Sequence, residues 1–162
     1  MQNELEAFIY LEANLMDECK YEQWLELFAE DCIYWIPSWA TESEIVSNPA
    51  NEISLIYWDK KNLREYVYRL RSGDAHAMIP QPRTARYVTN VFVQNAEEED
   101  AFIVKSNWFL HDYRLEHNAA VQQFFGGRMV HRIVKQEGAF KITEKKVIVI
   151  NDDIKRGHLM II

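Results

Sequence analysis

The chain has 162 residues, of which 48% are hydrophobic and 13% aromatic, a composition typical of a folded protein rather than a disordered chain. Its formal net charge of −7 argues against a nucleic-acid-binding surface, because such surfaces need clustered positive charge. Two cysteines are too few for a disulfide framework, and no apolar run reaches membrane-spanning length. We therefore predict a cytoplasmic protein in which residues 1–162 form a single domain.

Two helices are predicted at the N-terminus. The first covers residues 3–17, where apolar side chains gather near one side. The second begins at Tyr21, and four large apolar side chains recur at helical spacing on one of its faces: Tyr21, Trp24, Leu25 and Phe28. The period changes at Asp31, and the β-branched and aromatic stretch Cys32–Ser38 predicts a short strand.

The middle of the chain predicts a loop, a short extended segment and a third helix. Thr41–Asn51 is polar and is predicted to be a loop, whereas Ile53–Trp58 is apolar and is typical of a short strand. Asp59 is a suitable N-cap for the third helix, and Gly73 is a suitable C-terminal stop. Asp74–Pro82 contains two prolines and has no periodicity, which favours another loop.

The second half of the chain predicts long strands joined by short turns. These strands are Thr84–Gln94, Phe102–Glu116, Val121–Lys135 and Phe140–Ile150. Such neighbours pair antiparallel, and the acidic run Glu97–Asp100 is expected at a hairpin tip. Gly126 and Gly127 predict a bulge or bend inside the third of these strands. The fold class is therefore α+β: a cone in which three N-terminal helices pack on a long, strongly curved, antiparallel or mixed sheet.

Motifs for catalysis are scarce. The chain has no glycine-rich phosphate loop and no nucleophile elbow, and neither cysteine has the histidine neighbours that a Rieske cluster needs. The histidines that remain are His76, His111, His117, His131 and His158. His111 and Asp112 are adjacent in a predicted strand, so they point to opposite faces. A metal triad of His111, His131 and an acid is disfavoured, because this spacing is unspecific.

Two roles are open for the polar side chains that remain. If the chain acts alone, His111, Arg128 and His131 are candidates to line a pocket inside the cone, where a cation could bind a carboxylate. The second role, which we favour, is subunit contact, since arginine and tryptophan are common anchors of protein interfaces. The candidates for that role are Trp39, Arg69, Arg71, Arg83 and Arg86.

Several segments carry a resemblance to known proteins. The helix-to-strand stretch at residues 24–37, WLELFAEDCIYWIP, resembles the NTF2-like (cystatin-like) superfamily. Three motifs occur in order: E-x-S-L-I-Y at Glu52–Tyr57, R-x-R-x-G at Arg69–Gly73 and P-x-P-R-T at Pro80–Thr84. With these motifs the chain resembles the small (β) subunits of aromatic-ring-hydroxylating dioxygenases, which are Rieske non-haem iron oxygenases. The benzoate and anthranilate members are the most similar branch.

The resemblance implies a division of labour between two subunits. The large (α) subunit would hold the Rieske [2Fe–2S] cluster and the non-haem Fe(II), and it would dihydroxylate an aromatic ring with electrons that come from NAD(P)H through a reductase. The small subunit would carry no cofactor and would scaffold an α3β3 hexamer. The expected partners are therefore the large subunit and further copies of this chain, which would form a trimer.

Two other classes of function stay open at the level of sequence. One is a stand-alone NTF2-like dehydratase or isomerase with a His and an Asp or Tyr inside the cone, and the other is a small-ligand-binding module. An enzyme of this kind needs an acid and a base within hydrogen-bond reach in an accessible pocket. A cone interior that is filled by Trp, Phe and Leu side chains would exclude it.

Overall fold

The structure is a computed structural model that describes residues 1–73, 81–116 and 119–151. Its helices are α1 (Gln2–Asp17), α2 (Tyr21–Glu26) and α3 (Lys60–Ser72). Its strands are β1 (Phe28–Pro37), β2 (Ser54–Asp59), β3 (Arg83–Asn95), β4 (Ala101–Glu116), β5 (Ala119–Gln136) and β6 (Ala139–Val149). Within the described ranges, none of the helices has the length and apolar character needed to cross a membrane.

The six strands form one mixed sheet in the order β2-β1-β6-β5-β4-β3. Four of its pairs are antiparallel, and the fifth, between β1 and β6, is parallel. The predicted α+β fold is confirmed, with the mixed form of the sheet. The early strand β1 lies between its hairpin partner β2 and the late strand β6, so the N-terminal third of the chain is built into the sheet.

One face of the sheet, which we call the inner face, packs against the helices and contains the core. The helix-to-strand stretch supplies the centre of that core. The Trp24 and Phe28 rings lie 4.7 Å apart edge to face, and Tyr34 packs against both. The predicted apolar side of α1 is buried as expected, at Leu5, Phe8, Ile9, Leu15 and Met16. The opposite side of the sheet is the outer face.

The boundary between α2 and β1 differs from the prediction. The helix ends at Glu26, and Phe28 is the first residue of a strand rather than the last member of the helical face. Phe28 pairs with Ile142 of β6. Strand pairing with a residue far away in sequence therefore takes the place of the helical turn that was predicted at Phe28. Lys60 supports the junction, because its ammonium donates to the carbonyls of Leu25 and Phe28 at 2.5 and 2.6 Å. The bond to Leu25 satisfies an acceptor that the end of a helix leaves open, and the bond to Phe28 holds the first residue of the strand beside it.

The predicted bulge at the two glycines of β5 is wrong. Gly126 pairs with Phe109 and Gly127 with Trp108 in an unbroken register. Gly127 serves close packing instead, because a Cβ atom there would overlap the carbonyl oxygen of Ile148 in β6. The register of β5 against β6 shifts later, between residues 132 and 133.

The predicted ends of the third helix are confirmed. The Asp59 side chain accepts a hydrogen bond from the Asn62 backbone N–H at 2.8 Å, and the Asn62 side chain accepts one from the Asp59 N–H, which completes a capping box. Gly73 ends the helix in the left-handed region, with φ of 80°. The acidic run at residues 97–100 connects β3 to β4, as predicted for a hairpin tip.

Candidate functional site

A cluster of polar side chains lies inside the cone, between the helices and the inner face of the sheet. Glu12 of α1 accepts hydrogen bonds from the Trp24 indole N–H at 2.5 Å and from the Lys145 ammonium at 2.7 Å. His131 of β5 interacts electrostatically with both charged groups. The exposed fractions are 2% for Glu12 and 0% for Lys145 and His131. The cluster is therefore sealed from solvent.

Burial and the local charges set the protonation states of these groups. Burial would raise the pKa of Glu12, but Lys145 holds it below its usual value. Burial lowers the pKa of Lys145, and its contact with Glu12 offsets part of that effect. Burial and the Lys145 cation together lower the pKa of His131 to about 3. At neutral pH the cluster is therefore an ion pair beside a neutral imidazole, whose two nitrogens have no hydrogen-bond partner among the described residues.

The surroundings of the cluster show what it can do. Trp24, Tyr34, Leu110, Ile133 and Ile142 are all fully buried, so large apolar side chains fill the interior. General acid–base catalysis needs a substrate within hydrogen-bond reach of the catalytic group. No substrate reaches a sealed ion pair, and the cluster instead ties α1 and α2 to β6. Packing of the described residues thus leaves Glu12, Lys145 and His131 without access to solvent.

The three pocket candidates do not share a site, because the sheet separates them. His131 points inward, whereas His111 and Arg128 lie on the outer face. The His111 imidazole stacks on Phe124 with ring centroids 4.7 Å apart, and its Nε2 lies 3.1 Å from the Gln122 amide oxygen. A metal triad through His111 and His131 is excluded by this placement.

No group of three or more His, Cys, Asp or Glu side chains within residues 1–73, 81–116 and 119–151 could hold a metal ion. The other histidines, His76, His117 and His158, lie outside the described residues.

Three of the five interface candidates are exposed. Arg69 lies on the solvent side of α3. Arg71, near the end of the same helix, forms an ion pair with Glu22 at 2.6 Å. Arg83 begins β3 on the outer face, where its guanidinium lies 5.7 Å from the centre of the Tyr113 ring. All three side chains are exposed, and a role for them in subunit contact stays a prediction.

The other two interface candidates are engaged within the chain. The Trp39 indole N–H donates to the carbonyl of Val149 at 2.7 Å, which attaches the loop after β1 to the end of β6. The Arg86 side chain is almost fully buried and forms an ion pair with Asp17 at 2.5 Å. A role for either in subunit contact stays a prediction.

Sequence reasoning missed the acid and the base of the inner cluster. Glu12 lies at i+3 from Ile9 and i−3 from Leu15, so the spacing of α1 places it within the apolar stripe. Lys145 alternates with Val147 and Val149, which predicts the same inner face of β6. In both cases the signal in the sequence was a charged residue at a position that the apolar pattern predicts to be buried.

Sequence reasoning also missed a row of exposed rings on the outer face. Tyr87, Phe109 and Phe124 come from β3, β4 and β5 and lie on the side opposite the buried Trp108. Strand alternation was the available signal, since residues of one parity in β4 are buried and those of the other parity face outward.

A cleft lies at the other end of the outer face, near the turn between β3 and β4. It has a volume of about 460 Å³, and the residues that line it include Asp31, Trp35, Tyr57, Glu99 and Glu144. The Trp35 and Tyr57 rings meet edge to face at 6.2 Å. The outer face is thus aromatic and basic at one end and aromatic and acidic at the other.

Comparison with known proteins places this architecture in a family. The model of the ring hydroxylating beta subunit family matches residues 11–156. The chain is 33% identical over 147 residues to the 2-halobenzoate 1,2-dioxygenase small subunit of Burkholderia cepacia, with coverage of 90% of this chain and 86% of that protein. It is 32% identical over 151 residues to the toluate 1,2-dioxygenase subunit beta of Pseudomonas putida, with coverage of 92% and 90%.

The solved structures agree with this assignment. The beta subunit of the benzoate 1,2-dioxygenase from Burkholderia mallei ATCC 23344 superimposes with a TM-score of 0.77 at 28% identity, covering 96% of this chain and 97% of that one. The similarity extends over nearly the full length of each of these relatives. This chain therefore belongs to the ring-hydroxylating dioxygenase beta-subunit family.

Proposed function

We propose that this chain is the non-catalytic small subunit of a multicomponent aromatic-ring-hydroxylating dioxygenase, and that it scaffolds an α3β3 hexamer in the cytoplasm. The large subunit would hold the Rieske [2Fe–2S] cluster and the non-haem Fe(II), with electrons supplied from NAD(P)H through a reductase. The observation that carries the proposal is the family match over residues 11–156.

The closed interior of the cone supports a scaffolding role. The only buried acid–base–imidazole group found among the described residues, Glu12 with Lys145 and His131, is sealed by aromatic and aliphatic side chains. The polar groups that remain accessible are distributed over the outer face and the helices, where they suit contact with other chains.

The relatives also suggest a class of substrate for the complex. The proteins named above are subunits of dioxygenases for 2-halobenzoate, toluate and benzoate, which are all aromatic carboxylates. We propose the same class here, bound in the large subunit. Turnover of the assembled complex should be faster on benzoate than on benzene, and equal or faster turnover of benzene would contradict this part of the proposal.

The function is tested by purification of the tagged chain from its native host. We expect a second, larger protein to copurify with it at a one-to-one molar ratio. The absorbance spectrum of that protein should show an iron–sulfur cluster. A parallel purification with an unrelated tagged protein of similar charge controls for non-specific capture. The proposal would be contradicted if the tagged chain purified alone from host cells that have dioxygenase activity.

A further inference from the structure

A second cleft lies where α2, the start of α3 and strands β1 and β6 meet. It has a volume of about 430 Å³, which is in the range of small-molecule sites. Three cations line it, Lys60, Arg64 and Lys141, together with Leu25 and Phe28. The cations come from α3 and β6, which are distant in sequence, so the fold brings them together. We call this site the lysine cleft.

The Lys60 ammonium is a buried charge that has no carboxylate partner. The exposed fraction of Lys60 is 5%, and its ammonium donates to the carbonyls of Leu25 and Phe28 at 2.5 and 2.6 Å. No carboxylate oxygen of the described residues lies within 4.0 Å of it. The carbonyls use two of its three N–H groups but leave the charge uncompensated, whereas buried charges are ordinarily paired. The third N–H is thus left for a ligand.

The position of Lys60 also favours an anion. Lys60 is the first residue of α3, and apart from the N-cap Asp59 no acidic residue lies in the first turn of that helix. The start of a helix favours negative charge, so a cation there adds to the positive potential. Burial lowers the pKa of Lys60, Glu30 opposes this effect, and Arg64 and Lys141 add to it. Arg64 and Lys141 are thus close enough to repel Lys60, and a bound anion would relieve that repulsion.

The charges that line the cleft leave an excess of positive charge. Two of its three carboxylates are paired with arginines: Glu22 with Arg71 and Glu30 with Arg64. Within the described part of the chain, Glu26 has no cation within 4.0 Å, and Lys141 has no carboxylate within that distance. The Lys141 ammonium donates instead to the backbone carbonyl of Glu26 at 2.6 Å. Two lysines without an acid, Lys60 and Lys141, therefore face one acid without a cation.

We propose that the lysine cleft binds a small organic carboxylate. The carboxylate group would lie against the Lys60 and Lys141 ammonium groups, and the hydrocarbon part would lie against Leu25 and Phe28. An organic anion fits better than an inorganic one, because the cleft is larger than a single ion needs and has apolar residues in its wall. The proposal goes beyond the scaffolding function above and does not depend on it, because every group that it invokes belongs to this chain.

The test uses benzoate as the probe and the full chain without the large subunit as the protein. We expect benzoate to bind saturably, at one molecule per chain, with a dissociation constant of about 1 mM or lower. Benzamide, which has a similar shape but no charge, should bind about tenfold more weakly, since the charge-assisted hydrogen bonds are lost. NMR titration at constant ionic strength measures both compounds, because added salt screens exposed charges. Equal binding of the two compounds, or binding of inorganic phosphate with no binding of benzoate, would overturn the inference.

Three lysine-to-methionine variants locate the site. Lys60→Met should weaken benzoate binding about tenfold or more, and Lys141→Met should weaken it about threefold. Lys61→Met removes the same charge from an exposed position outside the lysine cleft, and it should leave binding unchanged.

Circular dichroism checks that each variant is folded. If Lys60→Met fails to fold, Lys141→Met decides the question, since the Lys141 ammonium makes one exposed hydrogen bond and its loss leaves the core intact. The inference is overturned if the folded variants at positions 60 and 141 bind benzoate as tightly as Lys61→Met does.

Discussion

At the scale of single residues, the most consequential feature is the ion pair between Glu12 and Lys145. Removing one partner of a buried pair leaves the other charge without compensation, which costs more than the pair contributes. The Trp24 indole N–H also depends on Glu12, so the acid joins two helices and a strand. Such a cluster stabilises one arrangement of the helices over the sheet.

Lys145→Met should therefore lower the free energy of unfolding by about 3–5 kcal/mol. Combining it with Glu12→Gln should recover part of that loss, since the amide oxygen still accepts from Trp24 and no buried charge remains. Lys146→Met, next along the strand and over the Trp35 ring, is the control and should cost about 1 kcal/mol or less. Urea unfolding measures all four proteins, and equal losses at positions 145 and 146 would contradict the prediction.

The buried imidazole of His131 makes stability depend on pH. Its pKa is about 3 in the folded chain against 6.5 for the ordinary group, so between these values the unfolded chain binds a proton that the folded chain does not. The free energy of unfolding therefore falls as pH falls through this window, by about 1.4 kcal/mol per pH unit at full effect. From pH 7 to pH 5, the contribution of His131 is a loss of about 2 kcal/mol.

His131→Leu should remove this contribution and flatten the unfolding free energy between pH 7 and pH 5. Met129→Leu, on the same inner face of β5 but without a titrating group, should keep the wild-type slope. Urea unfolding at several pH values compares the three proteins. Parallel curves for the wild type and His131→Leu would show that His131 does not carry the effect.

At the scale of elements, the approach of β5 to β6 depends on one glycine. Gly127→Ala places a methyl group against the Ile148 carbonyl oxygen, and the two strands must separate. We expect a cost of about 3 kcal/mol or more. Gly126→Ala is the matched control, because its nearest neighbours would lie at 3.5 Å, and it should be neutral or slightly stabilising. Thermal unfolding measures the stability of both variants. Similar losses of stability for Gly126→Ala and Gly127→Ala would contradict the argument that β5 and β6 approach closely at Gly127.

Most elements can be predicted from local pattern. The spacing of apolar residues indicates all three helices and six strands, and Asp59 and Gly73 indicate both ends of α3. The start of β1 at Phe28 could not be predicted, because its partner, Ile142, is more than a hundred residues away in sequence. Periodicity states which face of a strand is buried, but it carries no information about which strand lies beside it.

The sites are harder to predict than the elements. His131 was identified from its residue type, yet its role depends on Glu12 and Lys145, which come from different ends of the chain. Tyr87, Phe109 and Phe124 are ordinary strand residues until pairing brings them together across three strands. The assignment of the whole chain, 1–162, to one domain stays a prediction.

At the scale of the whole molecule, we expect the isolated chain to hold no stoichiometric iron. Burial raises the pKa of the Cys32 thiol to about 11, which suppresses the thiolate that a metal needs. His111 and His131 lie on opposite faces of the sheet and cannot share an ion. Metal analysis after production in iron-rich medium, with the copurified large subunit as the positive control, tests this expectation. One iron per isolated chain would contradict it.

The position of β6 has a consequence for the order in which the protein folds. Without β6, the remaining described strands form two separate ladders, β2-β1 and β5-β4-β3, with no strand pairing between them. The strand that unites the sheet is therefore the last of the described strands in chain order, and until it forms, the edge of β1 that pairs with β6 is open to other chains. Proteins with such long-range strand pairing fold slowly, because the long stretch of chain between β1 and β6 must close into a loop before the two strands can pair. A truncation that removes β6 should thus yield aggregating fragments rather than a smaller folded protein.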